Sequence, residues 1–394
     1  MRRRAIKDAK RIVVKVGSSV LVDGLGARAA ASCDCGAPGL STEVFTRLAA
    51  EICDARLSGF EIVLVSSGSI AMGLKKLGLE RRPVTIPERQ AIAAVGQVDL
   101  MSEYDRAFHA KGADVAQVLL THEDLSDRRR FLNARNTISE LLRRGIVPVI
   151  NENDTVAVDE IKFGDNDNLS ALVANLVSAD LLIMLSDIDG IFDKDPKLDK
   201  NAERISVVED IDGLNLPLPV HGSTGGFSGA SMSFYGTGGI TTKVESAMKA
   251  AHFGCATVIA NGKEAGVLER ILTCEDIGTL ILPQEDKLTS KKHWIAYSTR
   301  PSGKVFVDAG ARSALVDKGR SLLPSGITRV TGNFEAGEAV HCVDEEGMEF
   351  ARGVVNYGSV EIEKLKGKKS GQIEEVLGYK VYDEVIHRDN LVVL

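Results

Sequence analysis

Arg11-Ile12-Val13-Val14-Lys15-Val16-Gly17-Ser18-Ser19 is an apolar, β-branched run that ends in a glycine and two serines. Runs of the same kind recur at Glu61 to Val65, Gly145 to Ile150, Leu181 to Leu185 and Ala256 to Ala260. Each is followed by small or polar residues and then by a helical pattern. The helical stretches are Thr42 to Leu57, Ser69 to Leu77, Pro87 to His109, Arg128 to Arg143, Asn168 to Ser178 and Thr242 to His252. Near-continuous apolar strands alternating with amphipathic helices predict an α/β fold, an open and mostly parallel sheet sandwiched by helices. Such sheets bind ligands at the carboxyl ends of their strands, so the polar residues just past each run are the ones to examine.

The rhythm changes near Pro283 to Pro301, a polar, lysine-containing segment read as a linker. Beyond it, short segments at Lys304 to Val307, Ile327 to Val330, Ala339 to Val343 and Gly353 to Val355 are separated by glycine-containing turns. That pattern predicts a small β-barrel-like module. The expected division is 1–285 for the first domain, 286–302 for the linker and 303–394 for the second domain. Asp23 to Ser41 and Leu216 to Gly236 lack apolar periodicity and read as mobile surface loops.

The chain has 394 residues, a net charge of −7, 44% hydrophobic and 26% charged residues. This is the composition of a soluble globular protein, with no run long enough to span a bilayer, and a cytoplasmic location is expected. An acidic balance offers no bulk attraction to nucleic acid or anionic membrane, leaving a small molecule as the expected partner. Six cysteines and seven histidines form no paired C-x-x-C and no H-E-x-x-H, so reduced structural thiols and no protein metal-ligand set are expected.

Four strand ends and two turns that open helices carry the chemistry. Lys15 sits inside an apolar strand, where a lysine requires a charged partner, and Gly17 lets backbone approach a phosphate closely. Ser66-Ser67-Gly68-Ser69 leads into a helix and forms an anion site suited to a carboxylate or a phosphate, unless these serines simply cap the helix. Asn151-Glu152-Asn153-Asp154 and Gly164-Asp165-Asn166-Asp167-Asn168 can hold an ammonium group, orient a lysine or bind Mg²⁺ through water. Ser186-Asp187 follows another strand. Gly236-Thr237-Gly238-Gly239-Ile240-Thr241-Thr242-Lys243 opens a helix with a glycine-rich turn but is no Walker A loop, because Val244 follows the lysine. Lysines, backbone amides and Mg²⁺ are what phosphoryl transfer needs. No histidine is placed to act as base, and a carboxylate acceptor needs none, being ionised at neutral pH. The inventory fits a kinase that makes an acyl phosphate better than one acting on an alcohol.

These segments resemble the amino acid kinase family, in its glutamate-phosphorylating branch. The resemblance covers nearly the whole chain and is carried by K-V-G-S-S at Lys15, S-S-G-S-I-A-M-G-L from Ser66, Q-V-L-L-T from Gln117, L-N-A-R-N-T from Leu132, I-N-E-N-D-T-V from Ile150, F-G-D-N-D-N-L-S-A from Phe163 and G-T-G-G-I-T-T-K from Gly236. It implies ATP-dependent phosphorylation of the L-glutamate side-chain carboxylate, the first step of proline biosynthesis. Lys15 would contact the transferring phosphate, Asp167 would orient the catalytic lysines and Lys243 would hold ATP phosphates. Ser67, Asp154 and Asn166 would bind glutamate. Gly17, Ser186, Asp187 and the run Thr237, Gly238, Gly239, Ile240, Thr241 and Thr242 would line the ATP site with Lys15 and Lys243. The second module resembles a PUA domain.

The same resemblance implies Mg²⁺, a homo-oligomer, feedback inhibition by proline and functional coupling to glutamate-5-phosphate reductase. Ser186 and Ser69 depart from the commoner threonine and alanine. The alternatives are a family member with another acceptor, or an RNA-binding or RNA-modifying protein acting through the PUA-like module. Against the latter, residues 301–394 hold 12 Lys and Arg and 15 Asp and Glu, without the basic excess that RNA binding calls for.

Overall fold

The computed structural model describes residues 3–21, 41–79, 85–157, 165–194, 196, 199–209, 239–283 and 301–394. Both expected surface loops, Ser41 apart, and the linker between its end residues lie outside them. The chain divides into two compact units, Met1–Leu125 with Ala134–Glu285, and Ser126–Asn133 with Asp286–Leu394.

The first unit is built on an eight-stranded sheet. Its strands are β1 (Arg11–Val16), β2 (Glu61–Ser66), β3 (Val115–Leu120), β4 (Val147–Glu152), β5 (Leu181–Ser186), β6 (Val207–Val208), β7 (Ala256–Asn261) and β8 (Thr279–Ile281). They lie in the order β3-β4-β2-β1-β5-β7-β8-β6. All neighbouring pairs are parallel except β7 with β8. β4 and β5 are buried along their whole length, which is why their sequences run apolar without alternation until the polar residues at their carboxyl ends.

The helices of this part of the chain are α1 (Arg4–Lys7), α2 (Ser18–Leu21), α3 (Thr42–Leu57), α4 (Ser69–Leu77), α5 (Ile86–His109), α6 (His122–Ser126), α7 (Arg128–Arg143), α8 (Asp165–Leu176), α9 (Ile240–His252) and α10 (Val267–Leu272). Phe45 of α3 meets Tyr104 of α5 edge-on, ring centroids 4.8 Å apart, deep in the core. Helices α4 and α5 touch backbone to backbone. A Cβ at Gly73 would lie 2.0 Å from the Ile92 carbonyl oxygen, and one at Gly96 would lie 1.9 Å from that of Ser69. Only glycine permits that approach.

The central strand β1 pairs with β2 on one side and β5 on the other, its Val16 aligned with both Ser66 and Leu185. The connections leave in opposite directions here, the switch point at which open α/β sheets bind ligands. The Gly17 N–H donates to the Leu185 carbonyl (3.0 Å) and the Ser67 N–H to the Val16 carbonyl (3.2 Å), which draws the three strand ends together.

The second unit holds β9 (Gly303–Val307), β10 (Ile327–Gly332), β11 (Ala339–Val343), β12 (Glu349–Val354) and β13 (Leu391–Val393), with α11 (Ala309–Val316), α12 (Ser359–Leu365) and α13 (Ile373–Leu377). The strands form a mostly antiparallel sheet in the order β10-β9-β11-β12-β13, only β9 and β11 being parallel. Phe334, Tyr357, Ile362, Leu365 and Ile386 are buried in its core. The Tyr357 hydroxyl donates to the Tyr382 carbonyl (2.5 Å).

Several elements differ from the sequence reading, and those in the sheet and at the site are these. β3 was not expected as a strand; it is a half-buried edge with weak apolar signal. β6 and β8 are two and three residues long, too short for periodicity to register. Helix α8 begins at Asp165, three residues before the expected start.

Candidate active site

The earlier start of α8 places Asn166 and Asp167 in its first turn, facing the ends of β1 and β2. Asp167 is 1% exposed and meets two cations, with Lys15 Nζ 2.5 Å from Oδ1 and Lys243 Nζ 3.0 Å from Oδ2. The Thr242 hydroxyl also donates to Oδ2 (2.9 Å). Burial alone would raise the Asp167 carboxyl, but Lys15 and Lys243 outweigh it and hold it at about 2. Burial pushes the Lys15 ammonium down, opposed by Asp167 and reinforced by Lys243. Two lysines meet one carboxylate in a nearly dry place. An anion brought there is strongly favoured.

A second group lies on the β2 side. The Ser69 hydroxyl donates to Asp154 Oδ2 (3.1 Å), so it serves the site and does not cap α4; that N-cap is Gly68, at φ 111°. Burial raises the Asp154 carboxyl, with the Ser69 hydrogen bond opposing. Asn166 Nδ2 donates to Ser67 Oγ (2.9 Å) and to Asn151 Oδ1 (3.1 Å). Asn166 Oδ1 is buried and has no hydrogen-bond partner among the described residues. A raised carboxylate and an unmatched acceptor on neighbouring segments form a site that lacks a donor, and an ammonium group supplies one.

On the β5 side, Ser186 is buried and its hydroxyl donates to Asp187 Oδ1 (3.2 Å); Asp187 is exposed and close enough to raise the Lys15 pKa by its charge. Gly17 leaves little space, since a Cβ there would lie 3.3 Å from the Leu185 carbonyl oxygen and 3.6 Å from Lys15 Nζ. Gly239, Ile240, Thr241 and Thr242 lead into α9, with Gly239 as N-cap and its carbonyl accepting from the Thr242 hydroxyl (2.9 Å). Thr237 and Gly238 lie outside the described residues. Among the described residues, no group of three or more His, Cys, Asp or Glu could hold a metal ion. Asp167 is already engaged by both lysines, so these residues fit a cation carried in on phosphate oxygens, not one caged by protein.

Sequence reasoning missed Gln97. It lies inside α5, 54 residues before Asn151, yet its Oε1 accepts from Asn151 Nδ2 (2.8 Å). Nothing in spacing announces it; the only local signal is Gly96 beside it, where α4 comes too close for any side chain.

A family model described as the amino acid kinase family matches residues 10–261. The chain belongs to the amino acid kinase family. A PUA domain model matches residues 303–377. This amino acid kinase is 48% identical over its whole length to a protein of Syntrophotalea carbinolica named glutamate 5-kinase, covering all of that relative too. It is 47% identical to one of the same name from Geobacter sulfurreducens, again over 100% of both chains. A glutamate 5-kinase of Caldanaerobacter subterraneus is 49% identical over 98% of each. Among solved structures, a UMP kinase from Bacillus anthracis overlays with a TM-score of 0.46 at 18% identity, over 70% of this chain and 97% of that one.

Proposed function

We infer that this amino acid kinase transfers the γ-phosphoryl group of ATP to the side-chain carboxylate of L-glutamate, giving glutamyl 5-phosphate and ADP. The observation that carries the reading is one buried carboxylate, Asp167, holding Lys15 and Lys243 beside an acceptor-rich group of Ser67, Asp154 and Asn166. In this reading Asp154 and Asn166 take the α-ammonium of glutamate. Lys15 and Lys243 face the transferring phosphoryl group and neutralise charge as it passes between oxygens. The glutamate carboxylate, ionised at neutral pH, attacks phosphorus as the bond to ADP breaks, and no protein base is required. Gly17, Ser186, Asp187 and the α9 N-terminus from Gly239 to Thr242 line the nucleotide side.

Mg²⁺, arriving with ATP, would be held by phosphate oxygens and water with the exposed Asp187 carboxylate, and it supplies charge neutralisation. The relatives' shared name supports glutamate over other acceptors in the family. With that substrate the chain supplies proline biosynthesis, its labile product passing to glutamate-5-phosphate reductase. Proline as feedback inhibitor, a homo-oligomeric state and a cytoplasmic location complete the proposal. Among the described residues, no helix is long and apolar enough to cross a membrane.

Incubation with ATP, Mg²⁺, glutamate and hydroxylamine tests the reaction directly, because an acyl phosphate is trapped as the hydroxamate. Glutamate-dependent hydroxamate with stoichiometric ADP is the expected result. ADP without hydroxamate would place the phosphoryl group elsewhere and overturn the reading.

A further inference from the structure

Asn151 is the middle link of a chain of amides. Its Oδ1 accepts from its neighbour's backbone, Glu152 N–H (2.9 Å), and from Asn166 Nδ2 (3.1 Å); its Nδ2 donates to Gln97 Oε1 (2.8 Å). Asn166 then gives its remaining amide hydrogen to Ser67 Oγ (2.9 Å), and its Oδ1 is the buried acceptor left over. Amide direction follows from such a network. The reversed chain is available to a glutamine at 97, which can turn its Nε2 toward Asn151. Reversal would set Asn151 Nδ2 against the Glu152 N–H, donor against donor, and would use up Asn166 Oδ1 as an acceptor within the protein.

We propose that Gln97 is a positioning residue for substrate recognition: with the amide direction set by the Glu152 N–H, Gln97 accepts the outward hydrogen of Asn151 and holds that amide where Asn166 Oδ1 is left open to the substrate's α-ammonium. This rests on the glutamate reading above. Gln97 reaches the chain because α5 lies against α4 at Gly96, so the helix contact and the amide direction are parts of one arrangement. The role predicts selectivity in a specific form. Gln97 affects the substrate's ammonium and leaves both carboxylates and the nucleotide alone.

The test compares Gln97→Met, which removes the acceptor at similar size, with Gln97→Glu, which keeps an acceptor and has no donor with which to reverse the chain. Glutamate and ATP KM are measured, with glutarate as a competitive inhibitor that has both carboxylates and no ammonium. Gln97→Met is expected to raise glutamate KM about tenfold, the scale of one hydrogen bond to a charged group. Its ATP KM and glutarate Ki should stay within about twofold, the spread expected where no polar contact is lost. Gln97→Glu is expected to restore the wild-type glutamate KM. A Gln97→Met enzyme with unchanged glutamate KM, or one in which glutamate, glutarate and ATP weaken together, overturns the positioning role, as does failure of Gln97→Glu to rescue. If the wild-type enzyme forms no glutamyl hydroxamate, the functional reading falls first and takes this one with it.

Discussion

The two halves of the site are opposites in electrostatic terms. Around Asp167 there are two ammonium groups and a hydroxyl for one carboxylate, and the carboxyl is held at about 2. Around Asp154 there is one hydroxyl donor for a carboxyl that burial pushes up, with an unmatched amide oxygen on Asn166 nearby. The first region gathers cations and the second gathers acceptors. Phosphate completes one and an ammonium completes the other, so a substrate with an ammonium at one end and a phosphoryl acceptor at the other fits between them.

Breaking the Asp167 centre is the severest test of that contrast. Asp167→Asn leaves two buried lysines without their counterion, a change expected to cost about 3–5 kcal/mol in stability and to lower kcat at least about 100-fold. Because phosphate can take over as the counterion, ATP should raise the Tm of this variant more than that of the wild type. An equal ATP shift in the two would mean that phosphate does not meet the lysines held by Asp167. Lys15→Ala is expected to lower kcat by about 10²–10³-fold with little change in glutamate KM. A large KM effect with kcat intact would assign Lys15 to ground-state binding instead.

On the other side, Asp154→Asn is expected to raise glutamate KM about 10- to 100-fold, the range for a charge-assisted hydrogen bond, while kcat changes little. The pH dependence separates the regions further. An Asp167 carboxyl lowered in the folded state contributes stability above the ordinary aspartate pKa of 3.8, and loses it as pH falls toward about 2. Asp154 has the reverse sign. Its raised pKa makes ionisation costly in the free protein, so this site loses stability as pH rises through that value, and an ammonium ligand offsets the loss. Thermal shift by glutamate should therefore grow as pH rises through the Asp154 titration and be flat in Asp154→Asn. A shift that falls over the same range would place the ammonium elsewhere.

The smallest expected effect is a control remote from the argument about charge. Thr257 in β7 is fully buried and its Oγ1 has no hydrogen-bond partner among the described residues. Thr257→Val should raise stability by about 1 kcal/mol by removing an unsatisfied hydroxyl, seen as a higher Tm with unchanged KM values.

Much of this was legible in the sequence. Five strands were readable as apolar runs because each is buried almost throughout, and Lys15 stood out because an ammonium inside such a run needs a partner. The edge strand β3 was not, since half-burial blurs its pattern. The start of α8 was placed late because Asn and Asp favour caps and turns over helix interiors; here Asn166 and Asp167 are held in the first turn by Ser67, Asn151 and the two lysines. Gln97 was invisible for a different reason. A polar residue within a helix has no periodic signature, and its partner is remote in sequence.

The glycine contact between α4 and α5 has a consequence for any survey of tolerated mutations. Adding even a methyl group at Gly73 or Gly96 must part the two helices, and Ser69 and Gln97, one on each, would move with them. A selection that scores only growth would rank both glycines beside Lys15 and Asp167, although neither has an atom to offer a substrate. Measuring folded yield together with turnover would return them to their own category: spacers that set how far apart the recognising groups stand.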